Sequence, residues 1–311
     1  MAAPLALLTK LPALGVGVAA PTIGGAAIGG VALVTLLPGD DDARRIVFAR
    51  RDSDRPADPA TPLAGWAIWA MDADGSNQTR LTDTAEGDYW PQWSPDRSRI
   101  AFHSARDGKL ELYRTNADGS NQTRLTVNDG VDGWPCWSPD GARIAFSSDR
   151  SGNSAIFVID VDGSGLRHLI DSASLPVWSP DGLRIAFVSD RESAAGIYVV
   201  DADGSGVTGL TNSPAIDRTP AWSPDGARIA FNSDRDGQTE IYVMNADGSD
   251  QTRLTRNFGH DHGGTWSPDG AQIVFSSNRG GRFEIYLMNA DGSGLTRLTD
   301  TPANSDRPAW R

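Results

Sequence analysis

Hydrophobic and polar positions alternate along this chain in short bursts, and the bursts come in a fixed order. In residues 217–255, Arg228-Ile229-Ala230-Phe231-Asn232 puts Ile and Phe on one face of an extended segment and Ala on the other. Glu240-Ile241-Tyr242-Val243-Met244 is a second burst, rich in β-formers. Thr219-Pro220-Ala221-Trp222 precedes this pair, and Thr252-Arg253-Leu254-Thr255 follows it. Between the bursts stand turn residues: Ser223-Pro224-Asp225-Gly226, Asp234-Arg235-Asp236-Gly237 and Asn245-Ala246-Asp247-Gly248-Ser249. No stretch of this kind carries apolar residues at the helical period. Four short strands joined by tight turns in about 40 residues predict one antiparallel four-stranded unit.

The unit recurs. Trp93, Trp137, Trp178, Trp222, Trp266 and Trp310 are 44, 41, 44, 44 and 44 residues apart, and the first five are each followed by Ser-Pro-Asp. A fixed period of this length marks an array or a propeller. Arg45-Ile46-Val47-Phe48 matches the second strand of a unit, Trp66 to Met71 the third, and Thr79 to Thr82 the fourth. The missing first strand stands at the other end, in Arg307-Pro308-Ala309-Trp310. The expected fold is therefore an all-β, six-bladed β-propeller. Its blades are four-stranded and antiparallel, and the C-terminal strand completes the first blade, which removes the exposed edges of an open array.

The pattern Trp-Ser-Pro-Asp-Gly, then Arg-Ile-Ala-Phe, Asp-Arg, Ile-Tyr-Val-Met-Asn-Ala-Asp-Gly-Ser and Thr-Arg-Leu-Thr resembles the β-propeller repeats of the TolB family, over roughly residues 44–311. The resemblance implies a propeller that makes protein–protein contacts in the cell envelope. The family pattern also includes an α/β domain ahead of the propeller; about 44 residues precede the first blade here, so the resemblance concerns the propeller without that domain. Related propellers serve as lyases or as gating domains of prolyl-peptidase-like hydrolases. No Gly-x-Ser-x-Gly elbow is present, which removes the hydrolase form in cis.

Composition narrows the partners. A formal net charge of −12 argues against nucleic acid and anionic membrane surfaces. Cys136 is the one cysteine, so the fold needs no disulfide; its place just before Trp137 reads as a small packing position or a reactive thiol. Residues 1–43 are expected to form an apolar signal or anchor segment with a short linker, and 44–311 the propeller. Residues 11–38 hold no charged side chain, Lys10 precedes them and Asp40-Asp41-Asp42 follow. Retained anchor, cleaved signal and tail all stay open. The charge order favours an extracytoplasmic propeller, periplasmic or at the cell surface, membrane-anchored or secreted. The membrane would be met only through the N-terminal segment, and the propeller is expected to be monomeric.

Six units in one chain allow an internal comparison. Residues alike in every blade serve turns and packing; residues that differ at equivalent places are free to serve a ligand. The Asp/Asn-x-Asp-Gly hairpins read as structural turns or as calcium loops, although the downstream bidentate Glu of a calcium loop is absent. The Arg of the Asp-Arg pairs (Arg150, Arg191 and Arg235, with Arg106 and Arg279 equivalent) is expected to link blade to blade. Five residues before the repeated Trp stand Asp88, Asp132, Ala173, Asp217, Asp261 and Ser305. The four Asp are expected to converge on the channel and share a cation or a basic group, or else each to cap its own turn. Beside them fall Tyr89, Trp90, Trp134, Arg218, Asp306 and Arg307, anchor types for a protein or peptide partner. The function expected is a non-catalytic propeller that binds such a partner in the cell envelope at its variable-loop mouth, with no cofactor beyond a divalent cation at that mouth. The alternative is a metal-dependent lyase or other carbohydrate-active enzyme using His260, Asp261 and His262, with Asp217 near them as a metal ligand. His103, placed just after a strand, and His168, on an outer strand, are not expected to join that cluster.

Overall fold

Each repeat folds as one antiparallel sheet in which sequence order is also spatial order, from the channel outward. In blade 2 the inner, second, third and outer strands are Asp88–Trp93, Arg99–Ser104, Glu111–Asn116 and Thr123–Arg124. Blade 3 begins at Asp132–Trp137, blade 4 at Ser174–Trp178, blade 5 at Asp217–Trp222 and blade 6 at Asp261–Trp266. Blade 1 takes its inner strand, Ser305–Trp310, from the far end of the chain and pairs it with Arg45–Arg51, with Ile46 opposite Trp310 and Val47 opposite Ala309. Six sheets of four strands thus close into the expected ring. The outer strands are two residues long in five blades, too short to template another chain.

This computed structural model describes residues 45–52, 63–192 and 194–310. Among them every regular element is a strand, and no helix is long and apolar enough to cross a membrane. The segment 1–43, with its anchor, signal and tail readings, lies outside the described residues.

The core sits between blades. The Phe of each second strand (Phe48, Phe102, Phe146, Phe187, Phe231 and Phe275) is fully buried. Trp178 packs with Ile156 and Val158 of blade 3 and with Ile185 and Phe187 of its own blade, which is the reason it recurs. Trp137, Trp222, Trp266 and Trp310 are buried likewise, and Trp93 is half-buried. Trp137 Nε1 donates to Gln92 O of the preceding blade at 3.1 Å, and Trp266 Nε1 to Ala221 O at 3.1 Å. The guanidinium at the start of a second strand covers the next blade's indole: Arg143 over Trp178 at 5.2 Å, Arg184 over Trp222 at 5.0 Å and Arg228 over Trp266 at 4.6 Å.

The uniform turns are structural. In the Asp-x-Asp-Gly hairpins the second Asp accepts the amide two residues on, as Ser120 N donates to Asp118 Oδ1 at 2.9 Å. The following Gly lies against the preceding blade. Gly119 has φ +84, and a Cβ there would stand 2.3 Å from Leu81 O of blade 1. Gly75 meets Leu298 O of blade 6 in the same way, across the closure of the ring. The calcium-loop reading thus gives way to turns whose carboxylates serve their own backbone, and among the described residues no three His, Cys, Asp or Glu gather as a metal site.

Candidate functional site: the channel mouth

Every inner strand breaks its alternation at the same point. The register shifts between Tyr89 and Gln92, Gly133 and Cys136, Ser174 and Val177, Arg218 and Ala221, and His262 and Thr265. The residue at the break is left-handed in all six blades: Trp90 (φ 57), Trp134 (56), Leu175 (54), Thr219 (51), Gly263 (65) and Arg307 (53). Five are not glycine, and each such residue stores on the order of 1 kcal/mol of strain. Proline follows in all but blade 6, so the bulge leaves no amide there without a partner. These six residues line the channel. It is narrow among the prolines and the residues after them, a cavity of about 80 Å³, and opens on the connection side into one of about 770 Å³.

Neighbouring second strands hold the strained amides. Trp134 N–H donates to His103 Nδ1 at 3.3 Å, Leu175 N–H to Ser147 Oγ at 2.9 Å and Gly263 N–H to Asn232 Oδ1 at 2.9 Å. His103 therefore carries its proton on Nε2. It lies within the strand Arg99–Ser104, buried between Tyr89 and Trp134 at 5.9 Å from each ring, and not just beyond a strand as expected. Burial, helped by the Arg307 charge, lowers its pKa to about 3, so it is neutral.

One side of the mouth is a dense polar and aromatic cluster. Arg307 covers the Trp90 ring at 4.4 Å, and Trp90 meets Trp134 edge-on at 6.3 Å. Asp306 accepts from Tyr89 Oη at 2.5 Å and from Ser276 Oγ at 2.5 Å, and its Oδ2 lies 3.6 Å from Arg307 Nε. Burial alone would raise the Asp306 carboxyl; Arg307 and the two hydroxyls reverse this and hold it below the usual carboxylate range. Burial, then the Asp306 charge, pushes the Tyr89 phenol up, so Tyr89 donates. His262 stacks on Phe283 at 5.0 Å, and burial, then Arg307, lowers it to about 4. Arg218 stands exposed on the cavity wall, its side chain without a hydrogen bond or ion pair among the described residues.

The four aspartates go elsewhere. Asp88, Asp132, Asp217 and Asp261 are buried within their own blades, paired with Arg106, Arg150, Arg235 and Arg279 at 2.9, 2.5, 3.0 and 2.9 Å. The same Arg bonds a serine of the second strand, as Arg235 Nε donates to Ser233 Oγ at 2.8 Å. The expected acidic ring is thus a set of separate staples, and these four arginines tie parts of one blade together rather than blade to blade. Arg191 of blade 4 does link blades as expected, donating to Asp171 O of blade 3 at 3.1 Å, and Arg143, Arg184 and Arg228 bridge as well. Burial raises the Asp132 carboxyl, partly offset by Ser148, Thr126 and Arg150.

The metal candidates do not form one donor set. Asp217 and Asp261 are occupied by arginines, and His260 is exposed, its amide bonded to Asn278 and its ring near Thr239. Cys136 lines the narrow channel, and burial raises its thiol to about 11, which favours the packing reading over a reactive thiolate. His168 lies on the outer strand Arg167–Asp171, as expected. The structure thus gathers Tyr89, Trp90, Trp134, Arg218, His262, Asp306 and Arg307 at the mouth. Sequence reasoning missed His103 and Ser276, whose signal was polar side chains inside otherwise apolar second strands. It also missed Glu111, Glu240 and Glu284, buried and paired with Arg124, Arg253 and Arg297.

A family model described as the TolB β-propeller domain matches residues 89–172, 168–255 and 219–311. The chain belongs to the TolB β-propeller family. TolB from Acinetobacter baumannii has a TM-score of 0.77 at 24% identity, over 87% of this chain and 67% of that one. A TolB-type protein from Agrobacterium tumefaciens gives 0.67 at 24%, over 86% and 98%. An oligogalacturonate lyase in complex with manganese gives 0.55 at 17%, over 75% and 70%. At these identities the likeness is one of fold. A search of curated proteins finds no match. In this TolB propeller the repeat motif builds the scaffold, and the mouth is made of residues that depart from it.

Proposed function

We propose that this TolB propeller is a non-catalytic binding module outside the cytoplasm, docking a protein or peptide of the cell envelope on its connection face. The observation that carries this reading is apolar exposure around the mouth. Phe258 is 102% exposed and Val127 80%, and the places equivalent to Val127 in other blades hold Asp83, Asn212, Arg256 and Asp300. Val131 and Ile216, also exposed, occupy equivalent connections nearer the channel. Exposed apolar groups around a mouth walled by Trp90, Trp134 and Arg218 suit an interface with aromatic and Arg anchors. The turn face exposes Leu166, Val207 and Leu295 at one equivalent hairpin position, a feature of the repeat rather than of one site.

Residues 1–43 supply the route out of the cytoplasm in this reading, as anchor or as signal. Capture from solubilised envelopes with the propeller as bait tests the function. Phe258→Ser combined with Val127→Ser is expected to lose the partner while melting as wild type does. Equal capture by that variant would show that the connection face is not the docking surface.

A further inference from the structure

The six-fold pattern is broken most at one place. Between Trp137 and Trp178 the repeat is three residues short, and the connection between blades 3 and 4 is where they are missing. The outer strand of blade 3, Arg167–Asp171, runs for five residues and passes almost directly into the inner strand of blade 4. Blade 4 lacks the buried Asp of blades 2, 3, 5 and 6, having Ala173, and backbone carbonyls take its place. Ser189 Oγ donates to Ser172 O, and Arg191 donates to Asp171 O. The third strand opens with Gly196, where blades 2, 5 and 6 have a buried Glu. The cavity of about 770 Å³ opens beside this shortened connection.

Its lining is of two kinds. Part is the half-buried indoles of Trp90 and Trp134. Part is Asn153, Ser174, Asp190 and Arg218, whose side chains have no hydrogen bond or ion pair among the described residues. Planar amide, carboxylate and guanidinium groups each present two polar atoms side by side, the spacing that adjacent hydroxyls on a pyranose ring match. Indoles cover the C–H face of such a ring with large apolar area at small entropic cost. The volume lies in the range of small-molecule sites. Donors and acceptors mixed in this way, in one cavity with two indoles, fit a polyhydroxylated ring better than an apolar side chain.

We propose that this cavity binds a short oligosaccharide, with Trp134 as stacking platform and Asn153, Asp190 and Arg218 as hydroxyl-binding groups. The cavity shares Trp90, Trp134 and Arg218 with the proposed docking face but not Phe258 or Val127, so Phe258→Ser with Val127→Ser is expected to lose a protein partner and to leave saccharide binding unchanged.

Calorimetric titration of the full propeller with cellotetraose and with tetragalacturonate tests it, with an uncharged tetrapeptide as control. Binding of at least one saccharide, and no heat from the peptide, is expected. Preference for tetragalacturonate that disappears in Arg218→Gln assigns an acidic sugar; equal binding of both assigns a neutral one. Asn153→Ala with Asp190→Ala, both on the exposed surface, is expected to weaken binding about tenfold or more without lowering the melting temperature. Inserting three residues after Asp171, to restore the 44-residue spacing, is expected to close the cavity and abolish binding. No heat from either saccharide at millimolar concentration, binding of the peptide alone, or full binding by the double variant or by the insertion variant would each overturn the proposal.

Discussion

His103 shows what one residue of this mouth must satisfy. Its Nδ1 accepts the left-handed amide of Trp134, and its ring is enclosed by aromatic neighbours, so it folds uncharged. An unfolded histidine titrates near 6.5. Above that pH neither state binds the proton and His103 adds no pH dependence. As pH falls from about 6.5 towards 3, the unfolded chain takes up a proton that the folded one refuses, and stability drops. Asn232 bonds the equivalent amide of Gly263 without titrating. His103→Asn is therefore expected to keep the bond and to be roughly 2 kcal/mol less sensitive to a change from pH 7.5 to 5. Urea unfolding of both proteins at the two pH values measures this; equal sensitivity would mean that His103 folds protonated. The residue scale is also where the sequence was least legible. Equivalent Asp positions pointed to a ring of carboxylates, because in a regular strand Asp88 and Trp90 share a face. The left-handed residue at 90 breaks that alternation, so Trp90 meets the channel while Asp88 turns into its blade towards Arg106. Periodicity locates a bulge of this kind poorly, since every blade carries the same extra residue and the repeat length does not betray it.

The strands and hairpins were legible almost throughout, since five or six copies of each turn repeat the same chemistry. What one repeat could not show is what its turn touches in the next blade. Gly119 and Gly108 separate the two demands on a turn glycine. Both have positive φ, 84 and 92, but a Cβ at Gly108 would meet nothing within 4 Å, whereas one at Gly119 would collide with the Leu81 carbonyl. Gly108→Ala is expected to cost about 1 kcal/mol, the backbone strain alone. Gly119→Ala adds displacement of the blade 1 backbone and is expected to cost on the order of 1–3 kcal/mol more. Thermal unfolding of the pair checks this, and equal losses would show that hairpin tips do not bear on the neighbouring blade. The same cross-blade dependence explains why four of the five expected linking arginines, all but Arg191, were misassigned. The Asp-Arg pairs carry an obvious motif, yet the guanidinium that reaches the next blade belongs to the less conspicuous Arg opening the second strand, as Arg228 over Trp266 shows.

The whole ring was legible because its two ends are complementary fragments of one repeat. Removal of residues 305–310 is expected to leave blade 1 without its inner strand, uncover Val274 and Ile285 of blade 6, which pack with Trp310, and replace cooperative melting with a broad transition or aggregation. Calorimetry of the truncated and intact proteins decides it; a sharp, unshifted transition would show that the pairing of Ile46 with Trp310 contributes little. That pairing also sets an order in time. Blades 2 to 6 are each drawn from consecutive residues and can assemble as the chain leaves the ribosome, but Ile46 must wait for a partner more than 250 residues downstream. At roughly 5–20 residues per second the interval is on the order of tens of seconds. Throughout it the Arg45–Arg51 strand offers one bare edge, so the first blade to be translated is the last to be finished, and a chain held unfolded until its final strand is made avoids that exposure.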